Sequence, residues 1–322
     1  MKLYLVIPCY NEEEVLNETA QRTKAKIEAL IERGKISKES KICFVDDGSA
    51  DRTWDLISAY ASEDSRFCGI KLSRNKGHQN ALLAGLMSVK EYCDAAISLD
   101  ADLQDDIDAI DAMIDKYNDG CEIVYGVRSS RKTDKLFKRT TARCFYKMMR
   151  AMGVELVYDH ADYRLMSRRA IEALADFDEV NLFLRGLVPL IGFKSGSVEY
   201  ERNKRFAGKS KYPFHKMCSF AFEGVTSMSV KPIRMISALG VLLFLASIGM
   251  LGYSLIRHFS GNTVEGWTSI VVSVWAVGGL QLLAIGVIGE YIGKIYLETK
   301  HRPKYIIDKT LNILDDGEAN GK

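Results

Sequence analysis

Five short apolar blocks, residues 3–8, 42–45, 67–72, 95–99 and 123–126, recur along the N-terminal part of the chain with helical patterns between them. Each block is apolar throughout instead of alternating, as strands must be when both faces of their sheet are covered. Strand and helix in strict succession argue an α/β fold built on a parallel sheet. Such a sheet gathers the residues that follow its strands at one edge, and that edge is where α/β proteins hold ligands.

The residues after the blocks are therefore the place to look for chemistry. Pro8-Cys9-Tyr10-Asn11-Glu12 closes the first, Asp46-Asp47-Gly48-Ser49 the second, and Ser73-Arg74-Asn75-Lys76-Gly77 the third. The fourth ends in Asp100-Ala101-Asp102-Leu103-Gln104, the fifth in Val127-Arg128-Ser129-Ser130-Arg131. Asp100 and Asp102 come too early to cap the next helix. With Gln104 they make a hard-oxygen set suited to Mg²⁺ or Mn²⁺ shared with a substrate phosphate. Asp105, Asp106 and Asp108 are expected to cap that helix and complement its dipole, and Asp51 to cap the one after the second block. No Gly-x-Gly-x-x-Gly follows the first block and no Gly-x-x-x-x-Gly-Lys-Ser/Thr occurs anywhere. A nucleotide held here would rely on metal and arginine contacts in place of a glycine-rich cradle.

Lys+Arg 44 against Asp+Glu 42 leave a net charge of +2, which gives no global signal for a polyanion. Seven cysteines without a Cys-x-x-Cys pair read as buried, reduced thiols. Met1-Lys2-Leu3 runs straight into a strand pattern, so residues 1–230 are expected to form a cytoplasmic catalytic domain. Residues 136–152 interleave apolar and aromatic side chains with Lys138, Arg139, Arg143, Lys147 and Arg150. That pattern suits an amphipathic helix on an anionic membrane surface, or else a surface helix on the sheet; residues 213–228 are assigned a similar interfacial helix. Asp162 precedes Arg164 closely enough for an ion pair, and residues 201–212 form a basic loop around Gly208. Such a loop could close over a diphosphate. Residues 233–256 and 268–290 are each long and apolar enough to cross a bilayer of ~30 Å. A short link between them implies a hairpin. Lys231 and Arg234 before it, and Lys294, Lys300, Arg302 and Lys304 near its end, put both ends and the 293–322 tail in the cytoplasm.

Taken in order, Ile7-Pro8-Cys9-Tyr10-Asn11-Glu12, Val45-Asp46-Asp47-Gly48-Ser49, Asn75-Lys76-Gly77 and Leu99-Asp100-Ala101-Asp102-Leu103-Gln104 resemble the signature series of family 2 glycosyltransferases of the GT-A fold. Together with Arg205-x-x-Gly208-x-Ser210-Lys211-Tyr212 and two C-terminal apolar stretches, the chain is similar to the polyprenyl-phosphate glycosyltransferases. That group includes the dolichyl-phosphate mannosyltransferases and the bactoprenyl glucosyltransferases. Gly289-Glu290-Tyr291-Ile292-Gly293-Lys294 and Arg302-Pro303-Lys304-Tyr305 are like the latter.

The resemblance implies a Rossmann-like GT-A domain and transfer, with inversion, from a nucleotide-diphospho-sugar to a membrane polyprenyl phosphate. A UDP-sugar is the first choice of donor and GDP-mannose the second; undecaprenyl phosphate is the expected acceptor, for cell-envelope glycan modification. By motif position, Pro8, Tyr10, Glu12 and Asp46 would hold the nucleoside, with Asp100, Arg128, Arg205 and Lys211 at the donor phosphates. Asp100, Asp102 and Gln104 would bind Mg²⁺ or Mn²⁺, and Arg139 the acceptor phosphate. Asp102 and Asp162 would be catalytic, Asp162 orienting the acceptor or acting as a nominal base. The resemblance also implies an inner-membrane, multi-pass protein without nucleic-acid partners, and a homo-oligomer such as a tetramer. A processive polysaccharide synthase would carry Gln-x-x-Arg-Trp and more spans, and neither is present. The same residues would also suit a related enzyme with another lipid or glycan acceptor, a phosphohydrolase releasing free sugar or phosphate, or a membrane scaffold that kept the fold. A scaffold would be expected to have lost its acids, yet the full set is here.

Overall fold

The computed structural model describes residues 1–128, 160–179, 182–201, 229–260 and 266–313. They fall into two compact units: one of residues 1–128, 160–179, 182–201 and 302–313, the other of residues 229–260 and 266–301. The expectations for residues 136–152 and 213–228, for Arg139, and for the loop with Arg205 and Lys211 lie outside the described residues.

Among the described residues the first unit is an eight-stranded sheet with helices on it. In chain order its elements are β1 Leu3–Cys9, α1 Leu16–Glu32, β2 Lys41–Asp46, α2 Thr53–Glu63, β3 Phe67–Leu72, α3 His78–Val89, β4 Ala95–Ser98 and α4 Ala109–Asn118. Then come β5 Ile123–Arg128, β6 His160–Ser167, α5 Arg168–Ala175, α6 Leu184–Leu190, β7 Ser195–Tyr200 and, late in the chain, β8 Ile307–Leu311. The order across the sheet is β7-β5-β6-β4-β1-β2-β3-β8. The first five strands match the apolar blocks. The sheet is mixed, however, because β6 runs antiparallel to both β4 and β5, and β8 antiparallel to β3.

Both faces of the sheet are covered, as the unbroken apolar blocks require. Leu3, Leu5 and Ile7 pack in one cluster with Leu16, Ala20, Ile27 and Leu30 of α1, spaced to line one helix face. On the other face α3 approaches so closely that a Cβ on Gly85 would lie 2.4 Å from Val6. Each large aliphatic side chain so buried contributes about 1.5–3 kcal/mol. The described cysteines, Cys9, Cys43, Cys68, Cys93 and Cys121, are buried and unbridged.

The segment expected to be a tail returns to the sheet. Besides β8 pairing, the Ser73 N–H donates to the Ile306 carbonyl at 2.9 Å, and Asn312 Nδ2 donates to the carbonyls of Ala61 and Phe67 at 2.5 and 3.2 Å.

The second unit contains two long helices, α7 Lys231–Phe259 and α8 Trp267–Thr299. The Tyr291 hydroxyl donates to the Ser229 carbonyl at 2.5 Å, which sets the start of α7 beside the later part of α8. Large apolar side chains point outward along both, among them Leu242, Leu245, Leu282 and Ile285. Among the described residues one stretch, Val277–Thr299, is long and apolar enough to cross a membrane.

Candidate active site

Strand direction decides what meets at the working edge. β1 pairs in parallel with β2, Cys9 opposite Asp46, and with β4, Val6 opposite Ser98. β5 pairs in parallel with β7, so Arg128 stands opposite Tyr200. Because β6 runs the other way, its first residues reach the same edge, and Arg164 sits opposite Ser98. Ser98 Oγ hydrogen-bonds the Asp162 carbonyl. Pro8, Tyr10, Glu12, Asp46, Asp100, Asp102, Gln104, Arg128 and Asp162 thus all belong to strand ends or loops on one side of the sheet.

The loops after β1, β2 and β3 are knitted into one corner. Asn11, left-handed at φ 52°, donates its N–H to Ser49 Oγ and accepts from the Ala50 N–H, both at 2.9 Å. Glu12 donates its N–H to Thr53 Oγ1 at 3.0 Å. Asp47 accepts from the N–H groups of Lys76 and Gly77 at 2.7 and 2.8 Å, which explains the company that Asn75-Lys76-Gly77 keeps. Gly48, at φ 68°, lies against the Arg74 backbone so closely that a Cβ would come within 2.6 Å of its carbonyl carbon. Only glycine fits that turn. Asp46 is fully buried; one oxygen accepts from the Ser49 N–H at 3.1 Å, and the other has no partner. Burial raises the carboxyl pKa of Asp46. An orphaned buried oxygen is costly unless a donor arrives, and a nucleoside carries such donors. Tyr10 stands beside this corner, 42% exposed.

Next to it lies an acidic corner. His78, the first residue of α3, places Nε2 3.5 Å from Asp100 Oδ1 and 3.8 Å from Asp162 Oδ2. Arg164 Nη2 donates to Asp162 Oδ1 at 2.6 Å, and Arg185 approaches both Asp162 oxygens at 3.3 and 3.0 Å. Burial opposes ionisation of Asp162, but the two guanidiniums outweigh it and hold this carboxyl far below the usual carboxylate range. Asp100 moves the other way, raised by burial and by the charges of Asp162 and Asp102, against the pull of His78 and Arg185. Carboxylates that raise one another's pKa are what a divalent cation relieves. Among the described residues no group of three or more His, Cys, Asp and Glu side chains converges on a single point. A cation on Asp100 and Asp102 would need Gln104 and ligand oxygens to complete its shell.

The Asp100–Gln104 turn is strained. Leu103 is buried in the left-handed region at φ 56°, which costs a non-glycine residue about 1–2 kcal/mol. Asp102 Oδ1 accepts from the Gln104 N–H at 3.1 Å across it. The capping expectation holds just beyond only for Asp106, whose Oδ1 accepts from the Asp108 N–H at 2.9 Å. Asp108 occupies the N-cap of α4 without a side-chain cap bond and instead pairs with Lys26 at 2.5 Å. Asp105 is buried: Oδ1 accepts from the Tyr200 hydroxyl at 2.5 Å, and Oδ2 has no partner. Arg128 Nε donates to Tyr200 Oη at 3.4 Å, and its Nη2 lies 3.9 Å from Asp105. Burial first, then the charge of Asp100, pushes the Asp105 pKa up to about 6.

Four residues of this site escaped the sequence reading as site residues: His78, Arg164, Arg185 and Tyr200. His78 had a signal, following directly on Asn75-Lys76-Gly77. Arg164 lies on β6, Arg185 on α6 and Tyr200 at the end of β7; of these only Arg164 had a local signal, its spacing from Asp162.

Comparison with known proteins adds the following. A family model described as glycosyl transferase family 2 matches residues 4–175. A Bacillus subtilis glycosyltransferase, YkoT, is 55% identical over 307 residues, spanning 95% of this chain and 91% of its own. The bactoprenol glucosyl transferase of Shigella phage SfV is 40% identical over 311 residues, spanning 95% of this chain and 98% of its own. Among solved structures, glucosyl-3-phosphoglycerate synthase from Mycobacterium tuberculosis, in complex with Mn²⁺, UDP-glucose and phosphoglyceric acid, is 15% identical with a TM-score of 0.43 over 70% of this chain and 77% of that one.

Proposed function

Since the chain belongs to glycosyl transferase family 2 and is a glycosyltransferase, we propose that it transfers a sugar from a nucleotide-diphospho-sugar to a membrane polyprenyl phosphate. The observation that carries this reading is the 40% identity to a bactoprenol glucosyl transferase, which runs over 95% of this chain and so includes α7 and α8. A UDP-sugar is the donor proposed first, GDP-mannose second, and undecaprenyl phosphate the acceptor.

In this reading the nucleoside sits in the corner formed by Pro8, Tyr10, Glu12 and Asp46. Its diphosphate faces Arg128, and Arg205 and Lys211 close over it. A Mg²⁺ or Mn²⁺ held by Asp100, Asp102 and Gln104 would offset the charge of the departing nucleoside diphosphate. The acceptor phosphate, its second pKa about 6, is mostly dianionic near neutrality and is itself the nucleophile. It attacks the anomeric carbon from the face opposite the leaving group, so configuration inverts. No general base is required. Asp162, ion-paired with Arg164 and Arg185, is a poor proton acceptor and is assigned the orientation of Arg185 and His78 toward the incoming phosphate. Arg139 would join them there.

α7 and α8 are proposed to cross the inner membrane as a hairpin with both ends cytoplasmic, which would leave the polyprenyl tail in lipid during transfer. Each buried CH₂ is worth about 0.8 kcal/mol, so a long tail has a strong reason to stay. A homo-oligomer, such as a tetramer, belongs to the same proposal. The test is a panel of labelled nucleotide sugars with undecaprenyl phosphate and Mg²⁺ or Mn²⁺. Label extracted into organic solvent as lipid-phosphate-sugar is expected with one donor; release of free sugar only, or no transfer with any donor, would overturn the reading.

A further inference from the structure

Three hydroxyl groups from three different elements grip the turn that carries Asp100, Asp102 and Gln104. Thr19 of α1 donates its Oγ1–H to the Ala101 carbonyl at 2.8 Å. Tyr163 of β6 donates to the Asp106 carbonyl at 2.9 Å. Tyr200, at the end of β7, donates to the Asp105 carboxylate at 2.5 Å. The two tyrosines brace each other edge to face, ring centroids 5.3 Å apart, and Gly126 of β5 leaves the room: a Cβ there would lie 2.8 Å from the Tyr163 ring. Thr19, Asp105, Tyr163 and Tyr200 are all buried, which leaves these groups little access to water in place of one another.

What these bonds enclose is the left-handed Leu103, lying between Asp102 and Gln104. A residue in that conformation persists only where its surroundings over-determine it. Arg128 shares the Tyr200 hydroxyl, so the same bond also ties the turn to the end of β5.

We propose that Tyr200 and Asp105 are positioning residues that hold the Asp100–Gln104 turn in its strained form and in fixed relation to Arg128, so that the metal-and-diphosphate site exists before ligand arrives. The proposal rests on the glycosyl-transfer reading for what the turn binds, and on geometry alone for what holds it. Preorganised oxygen donors bind a cation without first having to order the turn, so the clamp acts on affinity for the metal–nucleotide pair. Tyr200→Phe deletes the donor and keeps the ring packing. Asp105→Asn keeps an acceptor for Tyr200 but removes the charge, and serves as the conservative variant.

The test uses the full chain in detergent micelles. In ligand-free protein, hydrogen exchange of peptides covering residues 99–107 should be at least tenfold faster in Tyr200→Phe than in wild type, with β1 peptides unchanged. Calorimetry with Mn²⁺ and UDP or GDP, whichever wild type binds, should show affinity weakened about tenfold in Tyr200→Phe and by less in Asp105→Asn. With sugar donor, KM should rise while kcat falls by less than twofold. A lowered melting temperature with unchanged exchange in 99–107 and unchanged affinity would overturn the proposal, as would faster exchange with unchanged affinity. If wild type binds neither nucleotide with Mn²⁺, the glycosyl-transfer reading fails, and exchange in 99–107 alone decides whether the clamp holds the turn.

Discussion

Arg164 points Nη2 at Asp162 Oδ1 from 2.6 Å, with its guanidinium all but removed from water. The pair is internal to β6, while the more exposed Arg185 of α6 meets the same carboxylate. Removing one member of a buried pair leaves the other charge uncompensated. Asp162→Asn should therefore cost about 3 kcal/mol of stability as well as activity, read by urea denaturation. Equal stability of variant and wild type would mean that Arg164 is satisfied without Asp162.

The metal reading makes a sharper separation. Asp102→Asn should leave the denaturation midpoint near that of wild type, since a partly exposed residue at a strand end contributes little packing. Turnover should fall by about 10²–10³-fold, and EDTA should abolish wild-type transfer until Mg²⁺ or Mn²⁺ is restored. Full activity in EDTA would remove the metal from the mechanism.

Asp105 predicts a pH effect of known sign. Its folded pKa of about 6 lies above the ordinary carboxyl value. Its contribution to stability is therefore full below about pH 4 and is lost as pH rises through 6, a change of roughly 3 kcal/mol. Asp105→Asn, which cannot ionise, should gain stability relative to wild type between about pH 4.5 and 7.5. Denaturant titrations at both values measure it; a difference that stays constant with pH would contradict the assignment.

Gly48 joins the loops after β2 and β3. Gly48→Ala adds left-handed strain and forces its methyl into the Arg74 backbone. A loss of about 2–4 kcal/mol is expected, with weakened nucleotide binding because the Ser73–Gly77 segment must move. A crystal structure of the variant with that segment in place would refute the steric account.

Asn312 closes the sheet after β8. It sits at φ 52°, a conformation asparagine tolerates, and its amide serves two carbonyls. Asn312→Ala should destabilise the chain by about 1–3 kcal/mol without altering the metal requirement. A cut at Val230, intended to remove only α7 and α8, would also delete β8 and this lock.

How much of this is legible in the sequence follows from the range of each signal. β1 to β5 announce themselves, because a strand covered on both faces must be apolar from end to end, and that pattern is local. The groups at their ends, from Pro8 to Arg128, are legible for the same reason. β6, β7 and β8 carry no such mark. β6 buries an arginine in mid-strand, β7 is exposed at three of its six positions, and β8 is a five-residue edge strand exposed along most of its length. Their pairing is stabilised only by residues distant in sequence. Composition also could not separate Asp105 from Asp106 and Asp108: all three stand before a helix, and capping is what local chemistry offers such residues. Burial of Asp105 beneath Tyr200 depends on β7 arriving beside β5 from much later in the chain. The acids at the site were set by the local sequence; which of them would be neutralised, clamped or left facing a ligand was decided by strands that only the folded sheet brings alongside.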